Sequence, residues 1–342
     1  MKVLVTVTLC FALLLLCDKS FACSDFQVKA KDGTIVTGRS MEFPIDLKSR
    51  IWVIPRSANN KYGYLGVDGV GRADLTSDGM NEKGLSVGAL MFSEAKYQTP
   101  VKGKKSIPLT QICAYLLGNF DNVEDVKKEF NNIRVLAEPV KELGGVLGFH
   151  LAIHDAKGHN IVVEFINGET KIYDNPLGVM TNMPEFSWQL TNLSNYINLD
   201  AHDKKEISLN GQKVRPAGVG SGFLGMPGDW TPPSRFVRLA WSVTSALPTK
   251  NAAGAVILAG HLLNSIDIPM GAIKEANNLY GYAQWVLIKD LSNKVMYYRT
   301  YENQTLKSID LKKLNFNIGA KPKQVSISEG TSLNVDVTGS LL

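Results

Sequence analysis

Along the chain, the first regular pattern has a period of two. Phe26, Val28 and Ala30 alternate with polar residues, Lys31-Asp32-Gly33 supplies a turn, and residues 34–39 alternate again, which predicts an N-terminal hairpin. Arg39-Ser40-Met41-Glu42-Phe43 closes its second strand, and residues 50–54 read as a third. A turn-rich loop over residues 78–84 leads into the apolar run 85–92, short enough to be a buried strand. Helical spacing takes over at 109–117, with Cys113 on the apolar face, and Asn122 reads as the N-cap of a helix over 123–130 with Asp125 at its third position. Strands at 147–154, 161–165 and 170–173 form a meander; helices follow at 185–196, 234–246 and 252–265, and strands again at 282–288 and 295–301. Residues 197–233 read as loop, and the polar stretch after Asp310 as a surface tail. Strands in two groups with helical blocks between and after them indicate α+β layering, and nothing in the chain resembles a linker or an internal repeat.

Ahead of this pattern stands a segment of another kind. Lys2, an apolar run over 3–16, polar Cys17-Asp18-Lys19 and Ser20-Phe21-Ala22 follow the order of a secretory signal peptide, with cleavage expected after Ala22. The run is shorter than the roughly 20 apolar residues of a membrane span, so no stable span is expected. The expected organisation is a signal peptide over 1–22 and a single domain over 23–342, exported to the periplasm or secreted. A lipoprotein signal would also leave cysteine first, but Ser20 stands where such a signal normally carries Leu.

The composition, 44% hydrophobic and 20% charged, is that of an ordinary globular chain, and the formal net charge of +5 is scattered. Nucleic acid is not indicated. Of four cysteines, Cys10 and Cys17 lie in the leader, leaving Cys23 and Cys113; a disulfide framework is excluded by count, and one bridge between these two is a structural alternative.

Cleavage after Ala22 would put a thiol and a free α-amine on one residue. An α-amine has a pKa of about 7.7 to 8.0, so a useful fraction is neutral near pH 7 and can take the thiol proton without a histidine. The five histidines suit that reading, since His150 and His154 lack the acidic partner of a metal-binding helix and read as structural. Residues 220–225 spell a dinucleotide glycine pattern but are followed by Met226-Pro227-Gly228 instead of a helix. No metal or cofactor is expected. An amide hydrolase of this kind needs donors for the developing oxyanion and charged groups to hold the amine and thiol. The candidates are Arg39 and Glu42 at the end of the strand paired with that of Cys23, Asn182 in a Pro-bounded loop, and Arg235 at the start of a helix after Pro232-Pro233.

Taken together, Cys23, Gly38-Arg39-Ser40-Met41-Glu42, Asp78-Gly79-Met80-Asn81-Glu82-Lys83-Gly84-Leu85, Val179-Met180-Thr181-Asn182-Met183-Pro184 and the stretch from Gly225 through Trp230 to Phe236 resemble, in order and spacing, the choloylglycine hydrolase and penicillin V acylase family of N-terminal nucleophile hydrolases. The resemblance implies a four-layer αββα sandwich with two antiparallel sheets, often assembled as a homotetramer. It implies a cysteine-nucleophile amide hydrolase acting on a small-molecule N-acyl substrate: a conjugated bile salt, with penicillin V or an acyl-homoserine lactone as neighbouring choices. It also assigns roles. Cys23 attacks the carbonyl, its amine serves as base and then acid, and Arg39 steadies the thiol. Asn182 and a backbone N–H near Met91 or Phe92 bind the oxyanion, and Arg235 anchors the network around the amine. Many members carry Asp in place of Glu42, and some have Asn or Tyr where Met91 and Phe92 offer only backbone. Met41, Phe43, Met91, Phe92 and Trp230 are the expected substrate wall. A non-catalytic binding protein of the same fold, or a lipid-anchored protein with a blocked amine, is the alternative.

Overall fold

The N-terminal hairpin forms as the alternation predicts: β1 (Ala22–Lys29) and β2 (Ile35–Phe43) pair antiparallel, with Ala22 opposite Glu42, Cys23 opposite Met41 and Asp25 opposite Arg39. Gly38 faces Phe26 across the pair, and a Cβ there would stand 2.3 Å from the phenyl ring, so only glycine lets the ring lie flat on the neighbouring strand. The computed structural model describes residues 22–275 and 278–328, so the expected leader lies outside the described residues apart from Ala22.

The hairpin is the centre of an antiparallel sheet in which β1 also pairs with Val179–Met180, and β2 with the long strand Tyr280–Asp290, followed by Val295–Thr300 and Lys307–Asp310. A second antiparallel sheet runs Glu169–Asp174, Asn160–Ile166, Phe149–His154, then β6 (Ser86–Met91), β5 (Arg72–Asn81), β4 (Tyr64–Gly69), β3 (Arg50–Ile54) and Lys323–Ser326. The helices Pro232–Ser245 and Ala252–Asn264 pack on the outer face of the first sheet, and Ile112–Asn119 on the outer face of the second. The result is the α+β, four-layer αββα sandwich.

Because side chains alternate across a strand, each strand of the first sheet serves two layers. Cys23, Asp25, Met41 and Arg39 face the second sheet, whereas Ser24, Phe26 and Glu42 face the helices. Apolar residues pack against both sheets, with Phe26, Val36, Phe236 and Leu239 in a cluster around the first sheet and Leu85, Leu116 and Phe165 in another between the second sheet and its outer helices.

Three expectations about elements change. Residues 78–81 are the end of β5, not a loop, and only Glu82–Lys83 turn before β6. The stretch read as loop over 197–233 contains a short hairpin, Ile207–Leu209 with Gln212–Val214. The tail beyond Asp310 returns to the fold: Phe316 and Ile327 are buried, and Lys323–Ser326 adds an edge strand to the second sheet. Its apolar residues are too sparse for a periodicity to show. Asn122 does cap the helix Val123–Glu129, accepting from the Asp125 N–H.

Candidate active site

Cys23 lies one residue into β1, at the rim where the two sheets open. Its side chain forms part of an apolar cleft of about 520 Å³, open mouth included, lined by Met41, Phe43, Leu75, Met91, Leu143, Leu147 and Phe149, with Thr76, Ser77 and Thr110 as polar interruptions. Cys113 belongs to the same lining, and both cysteines are free thiols.

Two arginines flank Cys23 from opposite faces of the sheet. From the cleft side, Arg39 brings Nη2 to 3.7 Å from the sulfur and donates from the same nitrogen to the Ala89 carbonyl at 2.8 Å. From the helix side, Arg235 donates to the Trp230 carbonyl from Nε, to the Cys23 carbonyl (2.6 Å) and Ser24 Oγ (2.5 Å) from Nη1, and to Asn182 Oδ1 (2.8 Å) from Nη2. The planar guanidinium, with donors in a fixed fork, can serve these acceptors together, which an ammonium could not.

Asn182 links the two groups. Its Oδ1 accepts from the Cys23 N–H at 2.7 Å as well as from Arg235, so the amide orientation is fixed by two donors. One Nδ2 hydrogen goes to the Met91 carbonyl at 2.8 Å, leaving the second free to bind an oxyanion. Behind the loop, His150 Nε2 lies 2.9 Å from the Thr181 carbonyl and Nδ1 lies 3.2 Å from Glu164, and the Thr181 hydroxyl donates to the Pro232 carbonyl. His154 pairs with Asp25 at 2.6 Å. Both histidines are buried, as their structural reading expects.

Burial pushes the Cys23 thiol up; Arg39, the Met91 backbone N–H and Arg235 pull it down, and Glu42 adds to the rise. Glu42 is buried on the helix side, its carboxyl pushed up to about 7 by burial against the attraction of Arg235 and the neighbouring Ser40 hydroxyl. In the chain described, the Cys23 nitrogen is still an amide joined to Ala22, and it is Ala22 that sits opposite Glu42.

The five residues expected to carry chemistry, Cys23, Arg39, Glu42, Asn182 and Arg235, thus converge from β1, β2, a loop and a helix. Of the expected wall, Met41, Phe43 and Met91 line the cleft. Phe92 and Trp230 lie elsewhere: the Phe92 ring stacks on His150 at 4.9 Å, since the side chain after Met91 points to the opposite face, and the Trp230 indole donates to the Asp267 carbonyl. Sequence reasoning gave no role to Asp78, whose carboxylate meets Arg39 Nε at 3.4 Å and Lys289 at 2.6 Å. The only signal for it is its place at the head of the motif over residues 78–85, in a stretch that reads as loop; for Lys289 there is none.

A family model described as linear amide C–N hydrolases, choloylglycine hydrolase family, matches residues 23–324. The chain is 30% identical to the bile salt hydrolase/transferase of Clostridium perfringens over 91% of this chain and 99% of that protein. It is 25% identical to the penicillin V acylase of Pectobacterium atrosepticum over 82% and 78% of the two chains. The crystal structure of a variant of the conjugated bile acid hydrolase from Clostridium perfringens superposes with a TM-score of 0.84 at 30% identity, covering 92% of this chain and 99% of that one.

Proposed function

Because the chain belongs to the choloylglycine hydrolase family of linear amide C–N hydrolases, we propose that, once cleaved after Ala22, it uses Cys23 as an N-terminal nucleophile against an N-acyl amphipathic amide, with a conjugated bile salt as the first substrate class. The observation that carries this reading is the placement of Cys23: its nitrogen is held by Asn182 at 2.7 Å while its sulfur faces Arg39 and an apolar cleft. Removing Ala22 turns that nitrogen into an amine and vacates the place opposite Glu42, whose buried carboxylate then has a cation to pair with.

The amine takes the thiol proton, and the thiolate, beside Arg39, attacks the amide carbonyl. The free Nδ2–H of Asn182 and the Met91 N–H, which faces the sulfur, donate to the oxyanion. The protonated amine then passes its proton to the departing nitrogen. A thioester on Cys23 remains, and water, deprotonated by the same amine, releases the acid. Met41, Phe43 and Met91 hold the apolar acyl part, consistent with the largely apolar lining of ligand sites. Penicillin V and acyl-homoserine lactones share the N-acyl amide and stand as the neighbouring substrate classes.

Export and assembly belong to the same proposal. The leader pattern supports a periplasmic or secreted protein, and among the described residues no helix is long and apolar enough to cross a membrane. A homotetramer is supported by the resemblance and by apolar side chains left in solvent at Val219 and Leu224.

A panel of taurine- and glycine-conjugated bile salts, penicillin V and acyl-homoserine lactones, read by amine or lactone release, tests the activity. The mature enzyme cleaves at least one class; Cys23→Ala abolishes turnover, and Cys113→Ala retains it. A free, alkylatable Cys23 with no cleavage of any class would mark a binding protein instead.

A further inference from the structure

An ammonium buried in the interior of a strand loses hydration worth several kcal/mol and persists only with a well-placed partner. Lys289 is such a group. It lies in the Tyr280–Asp290 strand opposite Thr37 of β2, fully buried, and its Nζ reaches across the gap between the sheets to Asp78 Oδ1 at 2.6 Å. The other oxygen of that carboxylate, Oδ2, is 3.4 Å from Arg39 Nε, and Arg39 Nη2 is 3.7 Å from the Cys23 sulfur. The second sheet is shaped for this chain of charges: Gly88 stands opposite Asp78, and a Cβ there would come 2.6 Å from Oδ2.

Resting on the assignment of Cys23 as nucleophile and Arg39 as its cation, we propose that Lys289 is a positioning residue for hydrolysis, fixing the Asp78 carboxylate so that it holds the Arg39 guanidinium against the thiol. Lys289 and Asp78 cancel in charge, which leaves the charge of Arg39 uncompensated beside the sulfur. The remaining groups facing this array are Asp25 of β1, itself paired with His154, and Cys113 of the outer helix. Glu42 and Arg235 act on the thiol from the helix side. With an apolar residue at 289, the buried carboxyl either cancels the charge of Arg39 or takes up a proton and releases the guanidinium. Both outcomes leave the thiolate less supported.

The test is iodoacetamide alkylation of the mature enzyme, followed by intact mass from about pH 6 to pH 10, beside kcat and KM on an amide that the wild type cleaves. Cys113, pushed up to about 12 by burial, does not compete in that range. Lys289→Met is expected to be alkylated roughly tenfold more slowly near pH 7, as a shift of about one unit in the thiol midpoint gives, with kcat falling in step and KM little changed. Lys289→Arg recovers both to within about threefold of wild type, because the positive charge is restored. A folded Lys289→Met enzyme with the wild-type alkylation profile, or a Lys289→Arg enzyme as impaired as Lys289→Met, overturns the proposal. Should Lys289→Met fail to fold, the double variant Asp78→Asn/Lys289→Met, which removes both charges, decides: slower alkylation than wild type supports positioning, and equal alkylation overturns it. Alkylation needs no substrate, so a missing amidase activity and a wrong role for Lys289 give different results.

Discussion

Burial pushes the Glu42 carboxyl up to about 7, against the attraction of Arg235 and Arg39. An unfolded chain releases the same proton near the ordinary glutamate value of 4.5. Between those values the folded state holds more protons than the unfolded one, so stability falls as pH rises, and the cost is fully present above about pH 7, on the order of 3 kcal/mol. In a chain that keeps Ala22, Glu42→Gln is therefore expected to stabilise by about 1 kcal/mol or more at pH 8 and to change little near pH 4, as urea denaturation at the two pH values would show. In the chain that begins at Cys23, the α-ammonium offsets the cost, so the same substitution loses its stabilising effect and slows hydrolysis. An equal gain in both forms would separate Glu42 from the amine. Glu42 was nominated from its place at the strand end, but its face was not legible: period-two alternation states that Met41 and Glu42 point opposite ways, and only the packed helix shows which side holds Arg235.

At the level of elements, Asn81 shows how a motif can be read correctly and explained incompletely. It ends β5, and its side chain closes the turn into β6 by accepting from the Lys83 and Leu85 N–H groups through Oδ1. From the other end of the amide, Nδ2 donates to the Leu117 and Phe120 carbonyls, tying the C-terminus of the helix Ile112–Asn119 to the sheet. Asn81→Ala leaves four backbone groups short of a partner, so a loss of about 2 kcal/mol or more is expected, measured as a lower urea midpoint at unchanged slope. The motif holds two functions a few residues apart: Asp78 serves the charge array between the sheets, and Asn81 serves the turn. Local sequence shows turn-forming residues; it does not show that the strand extends to Asn81, because the pairing that extends it comes from β4 and β6. The hairpin at 207–214 leaves no pattern in the sequence for the reverse reason, since both its strands are exposed and carry no buried face to produce an alternation.

For the molecule as a whole, the proposed cleavage after Ala22 implies an order of events. Ala22 and Cys23 are both buried within β1 and paired to β2. A peptidase needs its substrate extended and accessible, so cleavage is expected before β1 settles between its neighbours. If the proposed cleavage takes place, the mature protein has an intact mass starting at unmodified Cys23; a retained Ala22 or a diacylglyceryl adduct on the cysteine would contradict the proposed activation. Sequence alone determined what local chemistry can encode: the hairpin from its period of two, the cap at Asn122, the cysteine after a small-residue junction, and the ordered motifs that marked the family. It also nominated Arg39 and Glu42 from the strand paired with that of Cys23, Asn182 from a Pro-bounded loop and Arg235 from a helix start after two prolines, although Arg39 stands in the middle of its strand and not at the end. The tertiary structure decided which of these face the cleft and which the helices. It separated Met91 from Phe92 by the pleat of a single strand, and it brought Lys289 and Asp78 together across two sheets. Those pairings join residues 211 positions apart, and their energy comes from the dry space between packed sheets, a property that no stretch of chain possesses until the sheets have closed on one another.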